Sequence, residues 1–380
     1  MIKVIIGLIL AFALTPIGRK LAAHVILGGM QSMICYLPFQ TRLRTVQRLF
    51  MVPIPKGRRR LERFRSPYGY QWDSIVKVAD SRDDGVRGHW FIPNVHKQGG
   101  LPWAEKTAND ADLIIMYFHG GGYSLGHSLV STTAYLHMIE RLKIVHGVQA
   151  RIFGVDYRMF PDVQWPTPRE DGEKAYSYMV RDLKVDPSKI VIGGDSAGGH
   201  LASTLLLRIK DQLHRHDDPS TRSIKQHAVD PLPMPKGAIM ISPWVNVTSH
   251  SPTYTSNANN DCLIIPPNQN YTYWFVPDIA HKSPKEQEAL AMDPDISPLF
   301  GDYNGVCPMI VTYGGHELFA YDIEQFVKRL KEGHVDVNVV TRADAVHIWA
   351  LERFVTQNHQ IWLEGINKVI DWCAATIRQH

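Results

Sequence analysis

The chain has 380 residues, of which 44% are apolar and 21% are charged, so its composition is that of a globular protein and not of a disordered one. Its formal net charge of +4 is small and gives no indication of nucleic-acid binding. The four cysteines show no CxxC pair and no metal-ligand spacing, so the sequence predicts neither a metal site nor a cofactor held by cysteine.

The first 65 residues differ in charge from the remainder of the chain. They contain twelve Lys or Arg residues and one acidic residue, Glu62, which gives +11 against −7 for all later residues. The apolar run 4–14 is too short for a transmembrane helix but fits the apolar part of a signal peptide, and a second apolar run covers 21–30. We therefore expect membrane contact through residues 1–65, and localisation in the endoplasmic reticulum or secretory pathway, membrane-associated or secreted. The alternative is that the two runs are helices that cover a pocket.

Beyond residue 73, short apolar β runs alternate with amphipathic helical segments, the pattern of a mostly parallel sheet with helices on both faces. The predicted strands are eight in number, and the first two are expected to be antiparallel: 74–78, 86–92, 113–118, 149–155, 190–192, 236–242, 309–313 and 335–340. The predicted helices are 132–146, 170–183, 197–213, 322–332 and 360–378. The sequence therefore predicts an α/β fold.

Residues 244–295 interrupt this alternation, because they are aromatic and rich in Pro and Asn and show no clear strand. A structureless loop of that length is unusual in a compact domain, so the segment is expected to be an inserted lid. The predicted organisation is an N-terminal segment, 1–72, and a catalytic domain, 73–380, that carries this lid.

The pentapeptide 194–198, GDSAG, matches the G-x-S-x-G pattern and lies between a buried strand and a helix. Glycines permit the sharp turn that lifts a serine hydroxyl above the sheet, and the helix N-terminus stabilises developing negative charge. The pentapeptide alone is a weak signal, and its position between strand and helix strengthens it. Ser196 is therefore predicted to be a nucleophile.

The segment 119–122, HGGG, directly follows the apolar strand LIIMYF. Consecutive glycines can point several backbone N–H groups at one oxygen, which is the requirement of an oxyanion hole. We assign this role to the N–H groups of Gly121, Gly122 and Ala197, and a structural role to His119. A phosphate-binding loop is excluded because neither Gly-Lys-Ser/Thr nor G-x-G-x-x-G is present here.

In a fold of this type the nucleophile is followed along the chain by the acid and then by the histidine. His347 lies just after the last predicted strand, where the general base is expected, whereas His281 and His359 lie in the lid segment and near the final helix. Glu317 follows the preceding strand and is the predicted acid, which would hold the His347 tautomer. Asp322 is the rival acid, although the pattern places it in a helix.

Taken together, these residues resemble the hormone-sensitive lipase family of α/β-hydrolases over 112–347. Residues 156–161, DYRMFP, are similar to the family's D-Y-R-L-A-P, and 297–299 are similar to its S-P-L. Two positions depart from the family, since its acid is commonly Asp and a Gly often follows the histidine, where this chain has Glu317 and Ile348. The N-terminal segment resembles the membrane-bound members, such as arylacetamide deacetylase and the fungal steryl acetyl hydrolases.

This resemblance implies a serine esterase that needs no cofactor and no metal. The aromatic lid and the membrane-facing N-terminus favour a small hydrophobic ester as substrate, with short acyl groups such as acetyl. The predicted substrate contacts are Tyr123, Trp244, Tyr271 and Trp274. Amidase or lactonase activity uses the same groups and stays open, as does a non-catalytic, ligand-binding member of the family.

Overall fold

A computed structural model describes residues 15, 33–65, 67–79, 85–217, 230–248, 250–264 and 275–379. The two apolar runs, 4–14 and 21–30, lie outside these residues, so the predictions made for them stay predictions. Among the helices that the structure describes, none is both long and apolar enough to cross a membrane.

Eight strands form one sheet in the order β1-β2-β4-β3-β5-β6-β7-β8. β1 and β2 pair antiparallel with each other, β2 pairs antiparallel with β4, and the remaining neighbours are parallel. The strands are β1 (Ile75–Ala79), β2 (Arg87–Phe91), β3 (Leu113–Phe118), β4 (Ala150–Val155), β5 (Ile190–Asp195), β6 (Gly237–Ile241), β7 (Met309–Gly314) and β8 (Val337–Arg342). The predicted fold, a mostly parallel eight-stranded sheet, is confirmed.

Helices pack on both faces of this sheet. The described helices are α1 (Phe39–Phe50), α2 (Ile54–Arg65), α3 (Gly100–Lys106), α4 (Thr132–His146), α5 (Thr167–Ser177), α6 (Ala197–Asp217), α7 (Thr253–Ser256), α8 (Pro284–Ala291), α9 (Ala320–Glu332) and α10 (His359–Thr376). Helix α3 is absent from the sequence-based prediction, because its seven residues are too few to show a helical period.

The apolar run of β3 is explained by burial on both faces. Successive side chains of a strand point to opposite faces, so Ile114, Met116 and Phe118 pack in one core cluster and Ile115 and Tyr117 in the other. The first cluster contains the apolar residues of α5, α6 and α9, and the second contains those of α4 and α10. With both faces covered, every residue of β3 is apolar or aromatic.

The two N-terminal helices dock on the catalytic-domain region through one buried arginine, Arg42, and one partly exposed arginine, Arg65. Arg42 of α1 donates to the carbonyl oxygens of Phe354 and Thr356, at 2.8 Å each. Arg65 of α2 pairs with the carboxylate of Glu352, which also accepts a hydrogen bond of 2.6 Å from Ser131. The boundary predicted at residues 72 and 73 stays a prediction, but α1 and α2 are packed against later parts of the chain.

The predicted lid, 244–295, contains two described helices, α7 and α8, and no described strand. Its first residues enter the main core, since Trp244, Val245 and Val247 are buried there. Further along, Cys262 packs with Leu43 of α1 and with Val346 and Val355. The described parts of this segment are therefore packed against the sheet domain and α1.

Candidate active site

Ser196 lies between the end of β5 and the start of α6, with a backbone φ of +54°. A side chain in this left-handed region is strained, which is the geometry expected of the serine in a sharp strand–helix turn. The turn is possible because its neighbours are small: a Cβ on Gly198 would meet the carbonyl oxygen of Phe118, and one on Gly194 would meet the carbonyl oxygen of Gly198. The serine N–H donates to the carbonyl oxygen of Ile241 at 3.0 Å.

Glu317 and His347 form a buried pair at the ends of β7 and β8. The His347 Nδ1 lies 3.1 Å from Glu317 Oε2, and because a carboxylate accepts, Nδ1 carries the proton of this bond. The other oxygen, Oε1, accepts from the Ser242 hydroxyl at 2.7 Å and from the Gly314 N–H at 2.5 Å. The Glu317 carboxylate is therefore held by three hydrogen-bond donors. Because Nδ1 carries the ring proton, His347 Nε2 is free to accept a proton.

The end of β6 joins the serine turn to this pair. The Trp244 N–H donates to the Ser196 carbonyl oxygen at 3.0 Å, while the Ser242 hydroxyl accepts from the Ile348 N–H at 2.9 Å. Within the residues that the structure describes, no hydrogen bond joins the Ser196 hydroxyl to His347. Such bonds are often long in unliganded proteins and shorten when substrate binds.

The electrostatic setting of His347 favours its protonated form. Burial acts to lower the pKa of His347, but the Glu317 hydrogen bond and the charges of Glu317, Asp261 and Asp195 outweigh it, so the pKa lies above its usual value. Burial raises the pKa of Glu317, against the hydrogen bond from His347. The ring of Phe319 meets His347 edge-on at 5.1 Å, and both members of the pair are buried.

The HGGG loop follows β3 and is tied to the serine turn. The Gly120 N–H donates to Asp195 Oδ1 at 3.0 Å. Gly121 and Gly122 have φ values of +113° and +59°, which glycine adopts without strain. Among the described residues, the N–H groups of Gly121, Gly122 and Ala197 donate to no backbone or side-chain acceptor. Three unused donors therefore lie on the two loops that meet beside Ser196.

Residues 156–161, part of the family resemblance, contact the HGGG loop through hydrogen bonds and ring stacking. The Tyr157 hydroxyl donates to the His119 carbonyl oxygen at 2.6 Å, and its ring stacks on that of His119 at 4.4 Å. The Phe160 N–H donates to the Tyr123 carbonyl oxygen at 2.8 Å. Burial lowers the pKa of His119, whose Nδ1 contacts the Gly120 carbonyl oxygen, so His119 has the structural position predicted for it.

Tyr123 and Trp244, two predicted substrate contacts, lie in the interior beside the serine turn. Tyr123 is fully buried, and its hydroxyl lies 2.7 Å from His200 Nδ1, while His200 Nε2 lies 2.8 Å from the Ile296 carbonyl oxygen. Since the carbonyl can only accept, His200 Nε2 donates and the tyrosine hydroxyl donates to Nδ1. Trp244 packs near the rings of Phe319 and His200. Their contact with substrate stays a prediction.

The remaining predicted residues fall into two groups. Tyr271 and Trp274 lie outside the residues that the structure describes. Asp322, the rival acid, lies on α9, where its carboxylate accepts from the Asn246 amide at 3.1 Å and the Ser251 hydroxyl at 3.0 Å. Both of its oxygens are engaged away from His347, whereas Glu317 contacts the ring directly.

Sequence reasoning missed the serine that orients Glu317. Ser242 ends the predicted strand 236–242, and the sequence pattern gives it no role beyond that strand. Its φ of +45° and its position after a buried parallel strand are features of the site-forming edge of the sheet. The one signal in the sequence is a polar residue that ends the apolar run GAIMI.

Comparison with known proteins identifies similar hydrolases. The chain is similar to an esterase of Acinetobacter venetianus, with 27% identity over 69% of this chain and 71% of the relative. It is also similar to an acetyl-hydrolase of Streptomyces hygroscopicus, with 24% identity over 65% of this chain and 71% of the relative.

Among solved structures, a hormone-sensitive lipase from a metagenome library matches with a TM-score of 0.66 and 20% identity, over 90% of this chain and 99% of that one. This match shows a shared fold, which agrees with the resemblance to the hormone-sensitive lipase family of α/β-hydrolases. The family model described as alpha/beta hydrolase fold matches residues 115–351, which include the HGGG loop, Ser196, Glu317 and His347. The chain belongs to the alpha/beta hydrolase fold family.

Proposed function

We propose that the chain is a serine esterase that hydrolyses short-acyl, acetyl-like esters of hydrophobic alcohols through an acyl-enzyme intermediate. As a member of its family, the chain is a carboxylic ester hydrolase. The observation that carries the finer proposal is the convergence of four loops, those after β3, β5, β7 and β8, at the carboxyl edge of the sheet. They hold the strained Ser196, the His347–Glu317 pair and the unused N–H groups of the HGGG loop.

In the proposed reaction, the Ser196 hydroxyl attacks the ester carbonyl carbon, and its proton passes to His347 Nε2. The carbonyl oxygen becomes an oxyanion that accepts from the N–H groups of Gly121, Gly122 and Ala197. Glu317 stabilises the imidazolium and keeps the ring in the tautomer that leaves Nε2 free.

Collapse of this intermediate breaks the bond to the alcohol oxygen, which takes the proton from His347. Water then gives a proton to His347 and attacks the acyl carbon, and the second collapse returns the proton to Ser196 and releases the acid. Atoms and charge balance over the two half-reactions with no other reagent. No cofactor or metal enters this scheme.

Support for a hydrophobic substrate comes from the rings around the serine turn. Tyr123 contacts the rings of Phe160, Trp165 and Phe275, the last of which belongs to the predicted lid. Such a wall favours an apolar alcohol group, with Tyr123, Trp244, Tyr271 and Trp274 as the proposed contacts. The similarity to an acetyl-hydrolase supports the short acyl group.

The proposal includes membrane contact through residues 1–65 and localisation in the endoplasmic reticulum or secretory pathway. Within the described part of this segment, Met33, Tyr36, Leu37 and Met51 are exposed apolar side chains. Helices α1 and α2 are rich in Arg and have no acidic residue in their first turns. Apolar side chains beside a basic surface are suited to the anionic surface of a membrane.

Two alternatives use the same residues. An amidase or lactonase would differ only in the leaving group that His347 protonates. A ligand-binding member of the family would need a disabled triad, whereas here the Glu317–His347 hydrogen bond is formed and Ser196 has the strained φ. The enzyme proposal is therefore favoured over the binding module.

A fluorophosphonate probe tests the nucleophile, because it reacts with an activated serine whatever the natural substrate is. We expect covalent labelling of the wild type and loss of labelling and turnover in Ser196→Ala. The matched control is Ser188→Ala, an exposed serine before β5 at the opposite edge of the sheet, which should label like the wild type. An unlabelled wild type, or an active Ser196→Ala variant, would overturn the assignment.

The substrate class is tested with p-nitrophenyl esters of increasing acyl length together with an acetylated sterol. Short-acyl specificity predicts that kcat/KM falls steadily beyond about four carbons. A preference for acyl chains longer than about eight carbons would contradict the short-acyl proposal while leaving the nucleophile assignment intact. Parallel assays with anilides and lactones distinguish the two alternative activities.

A further inference from the structure

A second buried carboxylate, Asp261, lies beside the Glu317–His347 pair without touching either side chain. It belongs to the segment 244–295 and is fully buried. Its Oδ1 accepts from the His347 backbone N–H at 3.0 Å and from the Cys262 N–H at 2.7 Å. Its Oδ2 accepts from the Leu318 N–H at 2.8 Å. One carboxylate thus holds both the loop of His347 and the loop of Glu317.

Asn257, four residues earlier, holds the Glu317 loop from the same side. Its amide nitrogen donates to the carbonyl oxygens of Gly315 and Glu317, at 2.9 and 2.8 Å. The Asp261 N–H donates back to the Asn257 carbonyl oxygen at 3.2 Å, so residues 257–261 form a compact turn. This turn is complementary to the site, since its amide meets carbonyl groups and its carboxylate meets N–H groups.

Helix α1 holds the 257–261 turn in place. The Gln47 amide nitrogen donates to the Asp261 carbonyl oxygen at 3.0 Å, and Leu43 packs with Cys262 and Val346. The Cys262 thiol lies 3.6 Å from the His347 carbonyl oxygen. The turn is therefore fixed between α1 and the two loops, and a change of its charge need not unfold the sheet.

The charges that face His347 come from three different elements. Glu317 follows β7, Asp195 ends β5 and Asp261 belongs to the 257–261 turn, and all three raise the pKa of His347 against the effect of burial. The edge of the Phe319 ring meets the imidazole, and the neutral Cys262 thiol, whose pKa burial raises strongly, lies at the His347 carbonyl oxygen.

We propose that Asp261 is a positioning residue for the proposed acyl transfer. Asp261 holds the Glu317 and His347 loops in their relative positions, and its carboxylate adds to the negative charge that stabilises the His347 imidazolium. The proposal rests on the proposed function. It gives the segment 244–295 a role in the proton transfer in addition to the role of a lid. The hydrogen bonds of Asp261 go to backbone N–H groups, so its charge reaches the ring through space.

The test is the variant Asp261→Asn, which keeps the side-chain volume but removes the charge and turns an amide toward the Leu318 N–H. We expect kcat for p-nitrophenyl acetate to fall by about tenfold to a hundredfold with KM within about twofold. The pKa of the acid limb of kcat/KM should move down, because one of the carboxylates that raise the pKa of His347 loses its charge.

The control is Leu43→Ala, which opens the cluster next to the same turn without changing a charge. It should lower the melting temperature but leave the acid-limb pKa unchanged. If neither Asp261→Asn nor Leu43→Ala moves the acid-limb pKa, and the two variants differ only in activity, the role of Asp261 is merely structural. The electrostatic part of the proposal is then wrong. A fully active Asp261→Asn with the wild-type pH profile overturns all of it.

A second variant, Asn257→Ser, tests positioning by the 257–261 turn if Asp261→Asn fails to fold. It removes the two amide donors but leaves the carboxylate, so kcat should fall about tenfold with no movement of the acid limb. Wild-type kcat in this variant would contradict positioning by the turn. Failure of the proposed function is distinguished by the wild type itself, which would then neither hydrolyse esters nor react with the fluorophosphonate.

Discussion

The exchange Glu317→Gln tests the acid assignment with minimal change of shape. Gln has one acceptor oxygen and one NH₂ group where Glu317 has two acceptors. If the oxygen keeps the bonds from the Ser242 hydroxyl and the Gly314 N–H, the NH₂ group faces His347 Nδ1. Nδ1 must then accept, which places the ring proton on Nε2, the atom that has to take the serine proton.

The opposite orientation of the amide is no better, because its NH₂ group would then face the Gly314 N–H, whose bond to Oε1 is 2.5 Å long. The buried imidazolium also loses its nearest counter-charge, 3.1 Å away. Loss of tautomer control and counter-charge together typically lowers kcat by about 10³- to 10⁴-fold, which corresponds to about 4 to 5.5 kcal/mol.

The assay is kcat and KM for p-nitrophenyl acetate across pH, with folding checked by thermal unfolding. The control is Glu332→Gln, an exposed carboxylate at the end of α9, which should behave like the wild type. Glu317→Gln should also lower the pKa of the acid limb, because Glu317 is the largest influence that raises the pKa of His347. A kcat within about threefold of wild type would refute the acid assignment.

Two further predictions follow from the buried ionisable groups. Because the pKa of His347 is raised above 6.5 and the ring must be neutral to take the serine proton, kcat/KM should increase with pH through a midpoint above pH 6.5. The raised pKa of His347 also adds to the free energy of unfolding below pH 6.5, and this stabilisation is lost as the pH rises through the pKa that His347 has in the folded protein. A pH–rate profile with its midpoint at or below 6.5 would contradict the raised pKa and therefore both statements. Arg65→Ala should lower the free energy of unfolding by about 2 to 4 kcal/mol in urea titrations, because it leaves the buried Glu352 without its cation. The control variant Arg59→Ala, at an exposed arginine, should change the free energy of unfolding by less than about 0.5 kcal/mol. Equal values for the two variants would show that the Arg65–Glu352 pair contributes nothing to stability.

The sheet could be predicted because its central strands are buried on both faces and therefore appear as apolar runs. The predicted strand 113–118 coincides with β3 (Leu113–Phe118). The boundaries were less accurate where glycines or polar residues entered the sheet. β5 continues through Gly193, Gly194 and Asp195, because the two glycines still pair with both β3 and β6 and Asp195 still pairs with Ile241 of β6. β8 is displaced to Val337–Arg342; it is an edge strand in which only Val340 is buried, so its bounds are not marked by a continuous apolar run.

The residues of the candidate site could be named from the sequence for a related reason. A parallel sheet brings the loops after its strands to one edge, so a motif placed directly after a predicted strand already has a place in three dimensions. This placed Glu317 beside His347 and kept Asp322 away from it, as the hydrogen bonds of both carboxylates agree. The catalytic roles themselves await the variants described above.

What the sequence by itself determined was the fold, the order of Ser196, Glu317 and His347, and the glycine loop beside them, because each depends on local pattern and on strand order. What only the tertiary structure decided was the environment of these groups. Ser242 and Asp261 hold Glu317 and His347 through hydrogen bonds between residues 75 and 86 positions apart in the chain. Most of the partners of Asp261 are backbone N–H groups, which every residue except proline has, so no sequence pattern marks where such a bond will form.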